Sequence, residues 1–149
     1  MFQKVPSPAS PDPAKKDSSG PLKEGESTVL LAVDEPSIAR MLVRVISQAG
    51  LKVFWVRDLV EGLGWLRDHN RDVAVAFIDC HQTDTESRVF CRCARNIKPG
   101  LPVLLAGSNE AQSVVDDLSA GGASTLVPKP YLPTELTWQL RAQIRRTAA

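Results

Sequence analysis

The chain has 149 residues, 43% hydrophobic and 23% charged, with a net charge of +1, which is the size and composition of one globular domain with a short surplus. With balanced charge nothing points to nucleic acid or an anionic membrane surface as the main partner, no apolar run approaches the roughly 18 residues of a membrane span, and the N-terminus lacks the apolar stretch of a secretory signal. The three cysteines, Cys80, Cys91 and Cys93, show no framework spacing, which points to a reduced, cytoplasmic protein.

Residues 1–27 hold five of the eleven prolines, and their large apolar residues are Met1, Phe2, Val5 and Leu22. So little apolar surface does not offset chain entropy, and the segment reads as a disordered tail or linker. A single domain is expected over 28–146, with 147–149 as a short C-terminal tail.

From Thr28 the texture changes. Val29-Leu30-Leu31-Ala32-Val33 is a continuous apolar run, followed by Asp34-Glu35-Pro36-Ser37. Ile38, Met41, Leu42, Val45, Ile46 and Ala49 then recur at helical spacing. Pro36 suits the first helical turn with Asp34 or Glu35 near the cap, and Gly50 suits the stop. A second strand covers 51–56, and a weaker helix over 58–69 is built on Leu59, Leu63 and Leu66 and diluted by Gly62 and Gly64. Residues 73–78 form a third strand ending at Asp79. A polar loop then leads to a helix at about 87–97. The pattern closes with a strand at 102–106, a helix marked by Ala111, Val114, Val115 and Leu118, a strand at 124–127 and a last helix opened by Pro133.

Five strands thus alternate with five helices. Continuous apolar strands require burial on both faces, the pattern of a parallel sheet covered by helices. Right-handed crossovers leave a doubly wound, flavodoxin-like α/β sheet in the order 2-1-3-4-5 as the most economical topology.

Sites in such sheets gather beyond the carboxyl ends of the strands. Asp34, Asp79, Gly107-Ser108 and Lys129-Pro130 stand at those ends. Carboxylate oxygens suit Mg²⁺, a lysine suits a phosphoryl oxygen, and a carboxylate can act as a nucleophile.

At this point the stretches VLLAVDEPSI, VAVAFID, LPVLLAGS and GASTLVPKPYLPTEL carry a resemblance. The domain resembles the receiver domain of bacterial two-component response regulators, over about Thr28–Arg146. The resemblance implies that Asp79 is the phosphoacceptor, that Lys129 contacts the phosphoryl group across a cis Lys129-Pro130 bond, and that Asp34 and Asp79 hold a weakly bound Mg²⁺. It implies a histidine kinase or histidine phosphotransfer protein as partner, is compatible with a homodimer, and implies no enzymatic activity beyond the domain's own phosphorylation and dephosphorylation. The chain would be a stand-alone receiver or a piece of a longer regulator or hybrid kinase.

The sequence also departs from the family pattern. Matching Glu35-Pro36-Ser37-Ile38 to the usual Glu-Pro-Ser-Ile places Val33 where members carry a first acid. The switch hydroxyl after the fourth strand falls on Gly107, with Ser108 one residue on. The switch aromatic falls on Leu126, and Thr83 stands where Pro is frequent. These departures make the chain an atypical member and motivate a second reading, a phosphorylation-independent pseudo-receiver acting as a protein-interaction module. Another flavodoxin-like binding domain is a weaker reading, because DEPSI supplies no glycine-rich phosphate cradle. His81 reads as a loop histidine, and Cys91 and Cys93, two apart on a helix, face different ways. Trp55, Trp65 and Trp138 read as packing or surface residues. If exposed together with Leu126, they would mark a partner face.

Overall fold

The apolar runs form the strands of one parallel sheet in a computed structural model that describes residues 27–79, 84–107 and 124–148. The elements are β1 (Thr28–Val33), α1 (Pro36–Gln48), β2 (Lys52–Val56), α2 (Leu59–His69), β3 (Val73–Asp79), α3 (Asp84–Ile97), β4 (Val103–Gly107), β5 (Ser124–Pro128) and α4 (Pro133–Ala148). The sheet order is β2-β1-β3-β4-β5, with every neighbouring pair parallel. This is the doubly wound order expected from the sequence. Four helices lie among the described residues, and the expected helix around Ala111–Leu118 lies outside them, as do residues 1–26. Ser27, placed in the tail by composition, is buried, and α4 continues two residues beyond Arg146.

Alternating side chains of the strands feed two cores. On one face Leu31, Val33, Phe77 and Val127 pack with Leu42 and Ile46 of α1 and with Leu136, Leu140 and Ile144 of α4. On the other, Leu30, Ile78 and Leu105 pack with Leu66 of α2 and Phe90 and Ala94 of α3. Each fully buried Leu, Ile or Phe contributes about 1.5–3 kcal/mol of transfer free energy. β1 and β3 are buried along their whole length, so the sequence there is continuously apolar rather than alternating.

Local chemistry sets the helix ends. Glu35 is the N-cap of α1 with Pro36 in the first turn, but its carboxylate caps no backbone N–H and instead accepts from Ser37 Oγ at 3.0 Å. Asp34, considered for the cap from the sequence, is therefore outside it. At the other end Gly50 takes φ +91°, donating to Ser47 O at 2.9 Å, and Leu51 donates to Ile46 O at 3.3 Å. These two bonds satisfy the last carbonyls in the Schellman pattern. Asp58 caps α2 by accepting from the Glu61 N–H at 2.8 Å, while Glu61 reaches back to the Arg57 N–H at 3.1 Å.

Met41 is 41% exposed, because Ala39, Leu42 and Ile46 form the buried line of α1 and leave Met41 on its flank. α3 also begins at Asp84, three residues before the sequence expectation.

Candidate functional site at the carboxyl rim

Asp79 ends β3 in the middle of the sheet, 7% exposed, with Val33 of β1 as its register partner. Registered residues of neighbouring strands point to the same face. Val33 is fully buried, so an apolar side chain stands beside Asp79. The Val33 carbonyl accepts from the buried indole of Trp55 at 2.8 Å. The guanidinium of Arg57 lies 5.5 Å from the centroid of that ring.

β5 brings the opposite charge. The Lys129 N–H donates to Gly107 O at 3.1 Å, extending the β4–β5 ladder by one residue. The lysine Nζ then reaches Asp79 Oδ1 at 2.6 Å, from a side chain half exposed to water. The Lys129-Pro130 bond is cis. Two residues past the lysine, Tyr131 Oη donates to the other oxygen, Asp79 Oδ2, at 2.7 Å. Its ring packs edge-on against Phe77, with centroids 5.5 Å apart and planes at 83°. Burial first, then the hydrogen bond to Asp79 and its negative charge, hold the Tyr131 phenol well above its usual range. The phenol is therefore a neutral donor to a carboxylate whose two oxygens meet different partners.

Asp34 follows directly after Val33, partly exposed, on a groove of about 420 Å³. Arg57, Leu63, Glu86, Val89 and Phe90 also line this groove, between the N-terminal ends of α2 and α3. The donor set fits Mg²⁺ in kind: one or two carboxylates are what this ion takes from a protein, with water filling the rest. Among the described residues no group of three His, Cys, Asp or Glu side chains gathers in one place, and Asp34 and Asp79 remain the two acids that the resemblance assigns to this ion.

Gly107, the last residue of β4, pairs with Pro128 and presents no side chain. Leu126 is half-buried and packs on the α2/α3 face. Ser108, Cys80, His81 and Thr83 lie outside the described residues. The tryptophans form no shared face. Trp55 is buried under the α1/α4 face, Trp65 stacks on Phe54 at 4.3 Å, and Trp138 is 70% exposed on α4. Burial pushes the Cys91 thiol up to about 11 against the opposing pull of Arg95, so it is a packing residue at neutral pH.

Sequence reasoning missed Tyr131 as a site residue. It stood within the PKPYLP stretch, but an aromatic two residues past the lysine says nothing about where its hydroxyl ends. That is decided by the ring's contact with Phe77 on a distant strand.

The sheet order, with an acid and a lysine meeting at its carboxyl rim, defines a flavodoxin-like domain of receiver architecture. Comparison with known proteins agrees. The chain is 32% identical over 121 residues to the probable transcriptional regulatory protein TcrX of Mycobacterium tuberculosis, covering 80% of this chain and 50% of that protein. It is 30% identical over 121 residues to the response regulator MprA of Mycobacterium sp. (strain KMS), with 80% and 51% covered. The chain thus spans about half the length of the curated relatives it matches. Among solved structures, a response regulator receiver domain protein from Clostridium thermocellum superposes with a TM-score of 0.72 at 17% identity, covering 81% of this chain and 96% of that one. A CheY-like receiver domain protein from Methanospirillum hungatei JF-1 gives 0.67 at 20%, covering 80% and 94%. No family model matches the chain. The chain is thus similar to response regulators at about 30% identity over 80% of its length, and it shares the fold of CheY-like receiver domains.

Proposed function

We propose that this domain is a phosphoacceptor of a two-component phosphorelay, with Asp79 as the acceptor. The observation that carries the reading is the buried Asp79 carboxylate held at the rim by Lys129, 2.6 Å from Oδ1. A carboxylate oxygen of Asp79 attacks phosphorus in line. The bond from phosphorus to the donor imidazole nitrogen of a phosphohistidine breaks, its electron pair stays with the imidazole, and an acyl phosphate remains on Asp79. The Lys129 ammonium, in contact with Asp79 Oδ1, balances charge on the phosphoryl oxygens in this reading. Asp34 and Asp79 would hold Mg²⁺, which when bound neutralises further charge there. The donor in this reading is a histidine kinase or histidine phosphotransfer protein, and the chemistry of the domain is its own phosphorylation and dephosphorylation.

The test is incubation with a small phosphodonor and Mg²⁺, followed by intact mass. The wild-type chain is expected to gain one hydroxylamine-sensitive phosphoryl group, and Asp79→Asn to fold and gain none. If the variant labels to the wild-type level, Asp79 is not the acceptor.

Val33, fully buried beside Asp79, favours a second reading, a pseudo-receiver that binds its partner without phosphorylation. An unlabelled wild-type chain that still binds its partner would select it.

A further inference from the structure

Both oxygens of Asp79 are engaged, and by unlike donors. Oδ1 meets a cation on a half-exposed side chain, and Oδ2 meets the neutral Tyr131 hydroxyl at 2.7 Å. An O–H donated to a carboxylate is a charge-assisted bond, stronger than one between neutral groups. It takes one of the two lone pairs of Oδ2 and draws charge from that oxygen. The Tyr131 ring is held independently, edge-on to Phe77 and against the α1/α4 core. The hydroxyl is thus presented to Asp79 by packing and does not depend on the hydrogen bond for its place.

We propose that Tyr131 is a positioning residue that latches Asp79 Oδ2. A divalent cation or a phosphoryl group arriving at that oxygen competes with the tyrosine hydroxyl, which restrains both. The phosphoryl consequence rests on the reading of Asp79 as acceptor, whereas the cation consequence does not. Lys129 is unlike Tyr131 in this respect, because its positive charge favours the phosphorylated state as well as the free carboxylate.

Tyr131→Phe removes the hydroxyl and keeps the ring. Titrating both proteins with MgCl₂ by calorimetry, the variant is expected to bind Mg²⁺ roughly three- to ten-fold more tightly, the scale of one net hydrogen bond. Equal affinity, weaker affinity or absence of Mg²⁺ binding in both overturns the latch. Tyr131 is the single tyrosine of the chain, so ¹³Cζ-labelled tyrosine gives one resonance that reports its hydroxyl alone. In the wild type that resonance is expected to move as Mg²⁺ saturates. A stationary resonance overturns the latch irrespective of how the variant behaves. With a small phosphodonor the variant is expected to label several-fold faster, and slower labelling would mean that the hydroxyl assists transfer, which also overturns the latch. If the variant gains Mg²⁺ affinity and neither protein labels, the latch stands and the acceptor reading fails.

Discussion

Asp79 sits at the end of a central strand with one oxygen on an ammonium and the other on a phenol, while the position beside it on β1 is a buried valine. That valine has a measurable consequence. Val33→Asp would place a second carboxylate on the same face as Asp79, raising the ligand charge offered to Mg²⁺. Mg²⁺ affinity is expected to rise at least several-fold. Without metal, the new carboxylate is buried next to a like charge, so urea unfolding of the apo variant should show a loss of about 2–5 kcal/mol. Unchanged Mg²⁺ binding would mean that the position beside Asp79 is not where the missing acid belongs. At this scale the sequence was informative about charge and blind to direction. Asp79 and Lys129 were legible because strand ends gather at one rim. The bond from Tyr131 was not, since it depends on how two rings meet across the fold.

At the scale of elements, periodicity and punctuation sufficed for the described helices and strands. Gly50 stops α1 because its φ of +91° belongs to the conformation that ends a helix. Met41 fell off the buried line because a stripe read at i, i+3 and i+4 spans more of the helix than the sheet covers. α3 started earlier than expected because its first residues, Asp84–Glu86, are polar and carry no apolar period. α2 offers a test of how well its structure is understood. A Cβ at Gly64 would meet nothing within 4 Å, whereas one at Gly62 would touch Val56 Cγ2 at 3.4 Å and Phe90 Cε1 at 3.6 Å. Gly64→Ala should therefore stabilise the domain by about 0.5–1 kcal/mol through helix propensity alone, read as a higher urea midpoint at unchanged slope. A lower midpoint would show that α2 does not run as described through residue 64.

At the scale of the whole molecule, the sheet order was legible because continuously apolar strands alternating with helices leave few ways to cover both faces. The coupling from the rim to the rest of the fold is different in kind. Gly107 has no hydroxyl to follow a phosphoryl group, and Leu126 packs against the α2/α3 face rather than presenting an aromatic ring. A ligand moves a two-state equilibrium only through contacts that differ between the states. Hydrogen exchange over 103–107 and 124–132, with and without beryllofluoride, should therefore change little in the wild type. Gly107→Thr with Leu126→Tyr should enlarge the response. Strong protection changes in the wild type would show that the domain switches without either of those side chains.

If the carboxylate held between Lys129 and Tyr131 is the phosphoacceptor, borohydride reduction reveals it directly, because it converts an acyl phosphate to the corresponding alcohol. The wild-type chain, treated with a small phosphodonor and Mg²⁺, reduced and mapped by peptide mass spectrometry, is expected to yield homoserine at position 79 and at no other acid. Homoserine at a different aspartate, or an unaltered Asp79 in protein that has gained a phosphoryl group, would contradict it.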